Sequence, residues 1–267
     1  MVDYSEINFK KKFGQNFLKD KNLLKSIVSD AGVTSEDCVI EIGAGAGALT
    51  EHLVEEAKRV LSFEIDQELK VELDKKFEGK DNIEIIYEDF LNINEEFLYE
   101  KIGTNFKVVA NLPYYITTPI ITKLFSMKYK PSVIVVMVQK EVGERIIATP
   151  KQGDYGFFSV FINANAKAKI TRNVNRKMFT PVPNVDSCIV RLDTLPNGYN
   201  IKFFNFLKNC FAMKRKTLKN NLEKAYGFDK QVVENVLKEL DINLSVRADS
   251  LYLADFDKIY NKLFAQM

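Results

Sequence analysis

The sequence has few of the residues on which several kinds of chemistry depend. Its 267 residues include one histidine, His52, and three cysteines. General-base catalysis by histidine therefore has little support. The cysteines, Cys38, Cys188 and Cys210, are odd in number and lack metal-ligand spacing, so we expect no metal site. Buried structural thiols fit a reducing, cytoplasmic compartment.

Long hydrophobic runs are also missing. No apolar run reaches the length that crosses a membrane, and the polar N-terminus lacks the apolar core of a signal peptide. An apolar content of 46% and a charged content of 28% are typical of a soluble globular protein. We therefore expect no membrane partner, and either one large domain or a domain with an appendage.

The excess of one charge sign is small as well. A net charge of +2 does not by itself indicate a nucleic-acid partner. The basic residues nevertheless cluster in three blocks, within residues 10–12, 167–177 and 214–216. On one face of the folded chain, these blocks would form a positive surface for RNA. Taken singly, each block is more simply explained as solvated surface.

What the sequence does contain is a regular alternation of apolar strands and amphipathic helices. Strands are predicted at residues 38–42, 60–63, 83–87, 108–110 and 133–138, with two closing strands at 157–170 and 187–192. Helices are predicted after Asp20, after the glycines at 43–47, up to Phe77, from Thr117 and from Lys140. This order predicts an α/β fold whose parallel sheet is covered by helices on both faces.

The pattern changes after Pro196-Asn197-Gly198, which punctuates the chain. Beyond this point the apolar residues recur at helical spacing through three stretches that begin near residues 203, 232 and 259. We therefore predict a sheet domain over residues 1–197 and a small all-helical C-terminal domain over residues 198–267.

The residues Asn111, Leu112, Pro113 and Tyr114 directly follow one predicted strand. In open α/β sheets, ligands bind outside the carboxyl ends of the strands. The Asn111 amide oxygen and the Leu112 carbonyl can each accept one N–H of an exocyclic amine, and Tyr114 offers a stacking face. Such a grip suits adenine N6, a poor nucleophile that needs positioning more than a strong base. Four residues alone are equally well explained as an ordinary strand-to-turn connection.

A glycine-rich loop, Gly43-Ala44-Gly45-Ala46-Gly47, joins the first long strand to a helix. Glycines at this place let a ligand approach the backbone closely. Glu64 lies about 20 residues further on, at the end of the next strand, where an acid commonly holds ribose hydroxyls. NAD enzymes and S-adenosylmethionine enzymes share this arrangement, although the spacing of these glycines is less typical of dinucleotide binding.

Two further acids accompany this loop. Asp89 ends the third strand, where its carboxylate would either accept a hydrogen bond from an adenine amine or cap the following turn. Glu41 lies inside a buried strand beside the loop, which is unusual for an acid. We predict that Glu41 either binds backbone amides of the loop or faces the methionine end of a cofactor.

Four segments of the chain carry a family resemblance. They are Phe13-Gly14-Gln15-Asn16-Phe17-Leu18, Glu41-Ile42-Gly43-Ala44-Gly45, Asn111-Leu112-Pro113-Tyr114 and Phe179-Thr180-Pro181-Val182-Pro183-Asn184-Val185-Asp186-Ser187. In order and spacing they resemble the ribosomal RNA adenine N6,N6-dimethyltransferases, and the similarity covers nearly the whole chain. Four motifs in order are far more specific than one. The resemblance implies a Rossmann-like methyltransferase sheet and S-adenosylmethionine as the cofactor.

The resemblance also implies roles for residues around that cofactor. Asn16 and Leu18 would help to close the cofactor site, and Gly43 would line it. Glu64 would hold the ribose of the cofactor, and Asp89 would hold its adenine. These roles agree with what the strand ends and the glycine loop indicate by themselves.

A second set of roles concerns the target base. Asn111, which also borders the cofactor, and the Leu112 carbonyl would hold the target amine. Tyr114 would stack on the target base and Phe179 would take its other face, although Phe179 is also explained as a core residue. Tyr115 departs from the family pattern, in which a small polar residue is common, so the shape of the pocket is left open.

The family has two branches that act on different RNAs. The housekeeping branch dimethylates two adjacent adenosines near the 3′ end of 16S small-subunit rRNA, and the other branch dimethylates a 23S rRNA adenosine and gives macrolide resistance. Val185-Asp186-Ser187 resembles the housekeeping branch, as do residues 212–222 and 247–251. The expected partner is therefore the small ribosomal subunit, and the enzyme is expected to be a monomer.

Three other functions compete with this one. An adenine-N6 DNA methyltransferase would share the chemistry at Asn111, but residues 15–18 and the C-terminal segments disfavour it. A non-catalytic RNA-binding or assembly factor is disfavoured by the intact glycine loop, Glu64 and Asn111. An NAD oxidoreductase is the most distant alternative.

Overall fold

A computed structural model describes residues 17–18, 20–196, 198 and 201–264. They form two compact units, the first within residues 1–143 and 168–194 and the second within residues 144–167 and 195–267. The second unit thus includes residues 144–167 in addition to the C-terminal segment. The division into domains at residues 197 and 198 stays a prediction. Asn16 and the basic block at residues 10–12 lie outside the described residues.

The described strands form a seven-stranded sheet and a two-stranded sheet. They are β1 (Phe17–Leu18), β2 (Cys38–Ile42), β3 (Arg59–Phe63), β4 (Ile83–Ile86), β5 (Lys107–Asn111), β6 (Val133–Gln139), β7 (Ala166–Val174), β8 (Phe179–Thr180) and β9 (Ser187–Thr194). The strand order is β4-β3-β2-β5-β6-β9-β7 in the larger sheet, and β1 pairs with β8 in the smaller one.

The helices of the first part of the chain are α1 (Lys21–Ala31), α2 (Ala48–Glu56), α3 (Lys70–Lys76), α4 (Glu95–Ile102), α5 (Thr117–Ser126), α6 (Lys140–Ile147) and α7 (Phe157–Asn165). They are followed by α8 (Ile201–Cys210), α9 (Leu218–Tyr226), α10 (Lys230–Glu239) and α11 (Leu253–Phe264). Asp20 begins α1 as predicted, because its carboxylate accepts hydrogen bonds from the backbone amides of Asn22 and Leu23.

Strands β2 to β6 are parallel to one another, and the central strands β2 and β5 are buried on both faces of the sheet. Val39 and Val109 belong to one apolar cluster that also contains residues of α1 and α2. The residues next to them in the strands, Ile40 and Val108, are fully buried too and point to the opposite face. The predicted α/β sheet with two covered faces is therefore confirmed for these strands.

The sheet is not parallel throughout. Strand β9 pairs with β6 in the antiparallel sense, with Val138 opposite Cys188 and Ile134 opposite Leu192. The prediction of a parallel sheet is therefore wrong for β9, which lies between β6 and the edge strand β7. An apolar run predicts a buried strand without indicating its direction, and the direction here depends on the connection through β7 and β8.

The apolar run at residues 157–170 also differs from its prediction. Its first nine residues form helix α7, and only the remainder, from Ala166, is a strand. Nearly every side chain of α7 is buried, including Phe158, Phe161 and Ile162. A helix that is apolar on all sides has no amphipathic period, so its sequence cannot be distinguished from that of a buried strand by periodicity.

The second unit has its own apolar core. Helices α8, α9, α10 and α11 contribute buried residues such as Phe206, Leu222, Leu237 and Phe256, and α7 contributes Val160. The prediction that the C-terminal segment is helical is confirmed for residues 201–264. In the described part of the chain, we find no helix that is both long and apolar enough to cross a membrane.

Candidate active site

A cavity of the first unit opens where the parallel strands end. It is lined by most of the residues predicted from the sequence, namely Leu18, Gly43, Gly45, Glu64, Asp89, Asn111, Leu112 and Tyr114. Leu18 comes from β1 of the small sheet, and the other residues follow four neighbouring strands, because the carboxyl ends of β2, β3, β4 and β5 lie at one edge of the larger sheet. The strand ends thus predicted the location of the cavity.

The glycine loop is tied to the end of β3. The backbone amides of Gly43 and Ala44 donate to the Phe63 carbonyl, at 2.8 and 3.1 Å. The Gly45 amide donates to the Glu64 carboxylate at 2.7 Å, and the Asp66 amide donates to its other oxygen at 2.8 Å. Burial raises the pKa of Glu64, and these two amide bonds partly offset that effect.

Glu41 connects three elements beneath the loop. Its Oε2 atom accepts hydrogen bonds from Thr50 of α2 at 2.7 Å and from Ser62 of β3 at 2.6 Å. Glu41 is fully buried and does not line the cavity. Neither predicted role, binding of loop amides or contact with a cofactor, matches these bonds. The side chain instead joins the strand before the loop to the helix after it.

Burial raises the pKa of Glu41 to about 7, although the two hydroxyl bonds lower it. A folded pKa above the ordinary value of 4.5 means that the folded state holds the proton more tightly than the unfolded chain. The contribution of Glu41 to the stability of the fold is therefore complete below its ordinary pKa of 4.5. It is lost as the pH rises toward the folded pKa of about 7. Glu41→Gln stays neutral at every pH, so it does not share this loss. We therefore expect the difference in unfolding free energy between Glu41→Gln and wild type to shift in favour of the variant by roughly 1–3 kcal/mol from pH 5 to pH 8.

Urea denaturation at the two pH values measures this difference. Glu72→Gln, at an exposed position of α3, is the control and should show the same difference from wild type at both. A pH-independent effect of Glu41→Gln would contradict the assignment.

The turn after β5 faces the glycine loop. Gly43 has a φ of +85°, and a Cβ atom there would lie 3.7 Å from the Asn111 carbonyl oxygen and 3.9 Å from Pro113 Cδ. Contacts at these distances are ordinary, so glycine is favoured at residue 43 by its left-handed backbone and not by lack of space. No described residue donates a hydrogen bond to the Leu112 carbonyl, which leaves that oxygen available as an acceptor.

Tyr114 is held in place through its hydroxyl group. The Tyr114 hydroxyl and the Ser187 hydroxyl are 2.8 Å apart and form a hydrogen bond. Burial raises the pKa of Tyr114, and this bond lowers it in part. Ser187 begins β9, so the Asn111–Tyr114 turn and the segment that ends at Ser187 meet although 73 positions separate the two residues.

Asp89 serves the turn that follows β4. Its carboxylate accepts a hydrogen bond from the Leu91 amide at 2.9 Å, which is the capping role considered for it. Asp89 also lines the cavity, so its position is compatible both with capping of the turn and with a hydrogen bond from an adenine amine. The turn is fixed from α5 by Lys123, whose ammonium donates to the carbonyls of Phe90, Leu91 and Ile93 at 2.8, 2.9 and 2.6 Å.

Replacing Lys123 by methionine is expected to loosen this turn. The change keeps the apolar stem but removes the Lys123 hydrogen bond from three carbonyls, of which Phe90 keeps one bond, from the Ile93 amide. We expect a loss of about 1–3 kcal/mol in unfolding free energy. Because Asp89 begins the turn, affinity for an adenine-containing ligand should fall as well. Calorimetric titration with S-adenosylhomocysteine measures that loss.

Lys101→Met is the control for Lys123→Met. Lys101 pairs with Glu84 at 2.5 Å at the protein surface, where an ion pair contributes about 0–1 kcal/mol. Equal ligand affinity and equal stability in Lys123→Met and wild type would show that the three bonds do not position Asp89.

Two of the predicted residues do not line the cavity. Phe179 is 1% exposed and belongs to the apolar core of the first unit, in keeping with its alternative explanation as a core residue. It pairs with Leu18 across the two-stranded sheet, so it supports a residue that does line the cavity. A stacking role for Phe179 would require its ring to leave this core. Glu41 is the other residue away from the cavity.

Some residues of the cavity wall are not predicted from the sequence. Ile65 follows Glu64, and it lines the cavity while remaining 41% exposed. Phe63 and Phe90 also line it, with their rings in edge contact at 5.2 Å. An apolar residue placed beyond a strand end, as Ile65 is, was a signal that could have been used. Among the described residues, no group of His, Cys, Asp and Glu is arranged to hold a metal ion.

A mainly parallel sheet with a glycine loop after β2, an acid after β3 and a polar turn after β5 defines a Rossmann-like nucleotide-cofactor enzyme. The profile of the ribosomal RNA adenine dimethylase family matches residues 6–264. The chain belongs to this family.

Relatives named Ribosomal RNA small subunit methyltransferase A are similar over almost their full length. That of Levilactobacillus brevis is 43% identical over 266 residues, which cover 94% of this chain and 89% of the relative. That of Clostridium botulinum is 39% identical over 269 residues, which cover 99% and 97%.

Solved structures are similar in fold. A dimethyladenosine transferase from Plasmodium falciparum superposes with a TM-score of 0.79 at 31% identity, covering 92% of this chain and 98% of that one. The 23S rRNA methyltransferase ErmE superposes with a TM-score of 0.70 at 25% identity, covering 93% and 99%.

Proposed function

We propose that this protein transfers methyl groups from S-adenosylmethionine to N6 of two adjacent adenosines near the 3′ end of 16S rRNA. One observation carries the proposal. Asn111 and Leu112, which can accept an amine's hydrogens, line the same cavity as the glycine loop and Glu64, which suit a nucleoside cofactor. Family membership supports the reaction, and the names of the relatives support the small subunit as the substrate.

The residues around the cavity fit S-adenosylmethionine. The Glu64 carboxylate accepts two amide bonds and keeps about two further acceptor positions, which suits a pair of ribose hydroxyls. Asp89 uses one oxygen for the Leu91 amide and has capacity left for an adenine amine. Gly43 supplies the left-handed backbone with which the loop borders the cavity beside the turn after β5. When bound, this cofactor supplies a methyl group on a positively charged sulfur, which is a good leaving group.

The residues after β5 prepare the target nitrogen. The lone pair of an adenine amine is delocalised into the ring, so the nitrogen is a weak nucleophile. Hydrogen bonds from its two N–H groups to the Asn111 amide oxygen and the Leu112 carbonyl favour a pyramidal nitrogen with an available lone pair. This is catalysis by alignment and charge stabilisation. On gaining a methyl group the nitrogen becomes positively charged and acidic, and its proton then passes to solvent, so no strong base is required. Tyr114, held by Ser187, offers an aromatic face beside that position.

An adenine inside a helix cannot reach such a cavity, so the target base must leave its stack. Binding of the RNA would then depend on shape and on phosphate contacts. In the second unit, Lys214, Arg215 and Lys216 are exposed between α8 and α9 and form no ion pair with a described residue. The Asn221 side chain holds this loop through both backbone groups of Met213, at 2.9 and 3.3 Å.

In the first unit, the basic block of β7 and the turn after it is partly neutralised. Arg172 forms a two-bond ion pair with Asp30, at 3.0 and 3.1 Å. Lys169, Arg176 and Lys177 remain exposed. These three and the cations at residues 214–216 are the proposed phosphate contacts. Binding that depends on them should weaken steeply as salt increases.

The substrate is assigned to 16S rather than 23S rRNA because the small-subunit enzymes are 39–43% identical and ErmE is 25% identical. A 23S adenosine of the macrolide-resistance type is the alternative. An rRNA substrate also supports a cytoplasmic location, and we expect the enzyme to act as a monomer.

Incubation of the protein with unmethylated small subunits, large subunits and duplex DNA tests the proposal. With labelled S-adenosylmethionine, we expect methyl incorporation only into small subunits, and mass spectrometry of RNA digests should place dimethyladenosine at two adjacent positions. Modification of 23S rRNA would select the alternative branch, and modification of DNA alone would contradict the assignment. Saturable cofactor binding without transfer to any substrate would indicate a non-catalytic RNA-binding factor.

A further inference from the structure

Tyr115 has an unusual position for a large aromatic residue. Its side chain is 60% exposed, so it is not part of the core. It also lines the cavity together with Asn111, Leu112 and Tyr114. Its hydroxyl and ring make no hydrogen bond or aromatic contact with other described residues. A single exposed aromatic ring is common on protein surfaces, but this one also lines the cavity of the proposed active site, where it is placed to contact a ligand.

The two consecutive tyrosines cannot perform the same task. Residues 114–116 form a 3₁₀ turn, in which successive side chains leave the axis about 120° apart. Tyr114 is partly buried and its hydroxyl is tied to Ser187, so its ring direction is fixed. Tyr115 therefore points in a different direction from the ring that is placed to meet the target base.

We infer that Tyr115 is a stacking platform for the nucleotide next to the target adenosine, and this rests on the proposed function. Once the target base enters the cavity, its neighbour loses a stacking partner at the rim. An exposed tyrosine ring offers a replacement for that partner, and stacking on an aromatic side chain tolerates any base. Tyr115 thus binds RNA both before and during the reaction, and it takes no part in aligning the amine.

A contact that is equally strong in the ground state and in the transition state affects KM and leaves kcat unchanged. We therefore expect Tyr115→Ala to raise the KM for unmethylated small subunits by about 10- to 100-fold, given the usual strength of base stacking. The kcat value should remain within about threefold of wild type. Tyr115→Phe and Tyr115→Trp should restore the wild-type KM, because stacking needs the ring and not the hydroxyl.

The experiment measures initial rates of methyl transfer over a range of subunit concentrations at saturating S-adenosylmethionine, for the full chain and each variant. Calorimetric titration with S-adenosylhomocysteine accompanies it and should give similar affinities for wild type and Tyr115→Ala. Tyr252→Ala is the matched control, since Tyr252 is 61% exposed and lies in the second unit, and its KM should equal that of wild type.

Three results would overturn the inference. They are an unchanged KM in Tyr115→Ala, a lower kcat at unchanged KM, and failure of Tyr115→Phe to restore binding. Absence of transfer by the wild-type protein in the same assay would instead remove the proposed function, so the two failures are distinguishable.

Discussion

Asn111→Ala is expected to lower kcat for methyl transfer to small subunits by about 10²–10³-fold, the usual effect of removing one preorganised hydrogen-bonding group from an active site. The Asn111 side chain stands at the end of β5 and lines the cavity opposite Gly43. Alanine removes one of the two acceptors proposed to hold the adenine amine and leaves the Leu112 carbonyl in place. The nitrogen would then keep its planar, unreactive form for most of its time in the cavity.

The measurement is single-turnover methyl incorporation at saturating cofactor, so that weaker cofactor binding does not enter the rate. Asn173→Ala, at an exposed position of β7, is the matched control and should transfer methyl groups at the wild-type rate. A rate for Asn111→Ala within threefold of wild type would remove Asn111 from the proposed amine-binding pair.

Gly143→Ala is expected to destabilise the protein by about 3 kcal/mol or more, near the upper end of what overpacking costs. Gly143 lies in α6, where alanine would ordinarily favour the helix by about 1 kcal/mol. Here a Cβ atom would lie 2.1 Å from the Cys188 sulfur and 3.3 Å from a methyl group of Val190. Both partners are fully buried in β9, so neither can move aside without disturbing the sheet.

Urea denaturation of a double-mutant cycle tests this explanation. Cys188→Ala removes the sulfur, so the combined variant should recover a large part of the stability that Gly143→Ala loses. Gly153→Ala is the control, because a Cβ atom there meets nothing within 4 Å, and its effect should stay within about 0.5 kcal/mol. If the stability losses of Gly143→Ala and Cys188→Ala simply add in the double variant, the contact with Cys188 is not the cause of the loss in Gly143→Ala.

The strongest sequence predictions came from elements whose signals are local. Strand β2 has the predicted bounds, because the glycine that directly follows the apolar run ends the strand at Ile42. The positions of Glu64, Asp89 and Asn111 at one edge followed from the strands before them, since parallel strands share that edge. These residues needed no knowledge of long-range contacts.

The errors concern features that depend on distant contacts. The direction of β9 and the helical state of α7 are decided by what they pack against, and their apolar composition is the same in either case. The hydrogen bond between Tyr114 and Ser187 could not be derived from two motifs read separately. Phe179 looked like a ligand-facing aromatic because its motif is functional, although its ring is buried behind Leu18.

The pairing of β1 with β8 has a consequence for synthesis of the chain. Leu18 is made long before its partner Phe179, because the two residues are far apart in the sequence. A nascent chain that has reached α5 already carries Gly43, Glu64, Asp89 and Asn111 without the strand that holds Leu18. Contacts so distant in sequence form late. Completion of the cavity wall at Leu18 therefore waits until β8 has been made, and nascent chains that lack β8 should bind the cofactor more weakly than the folded enzyme.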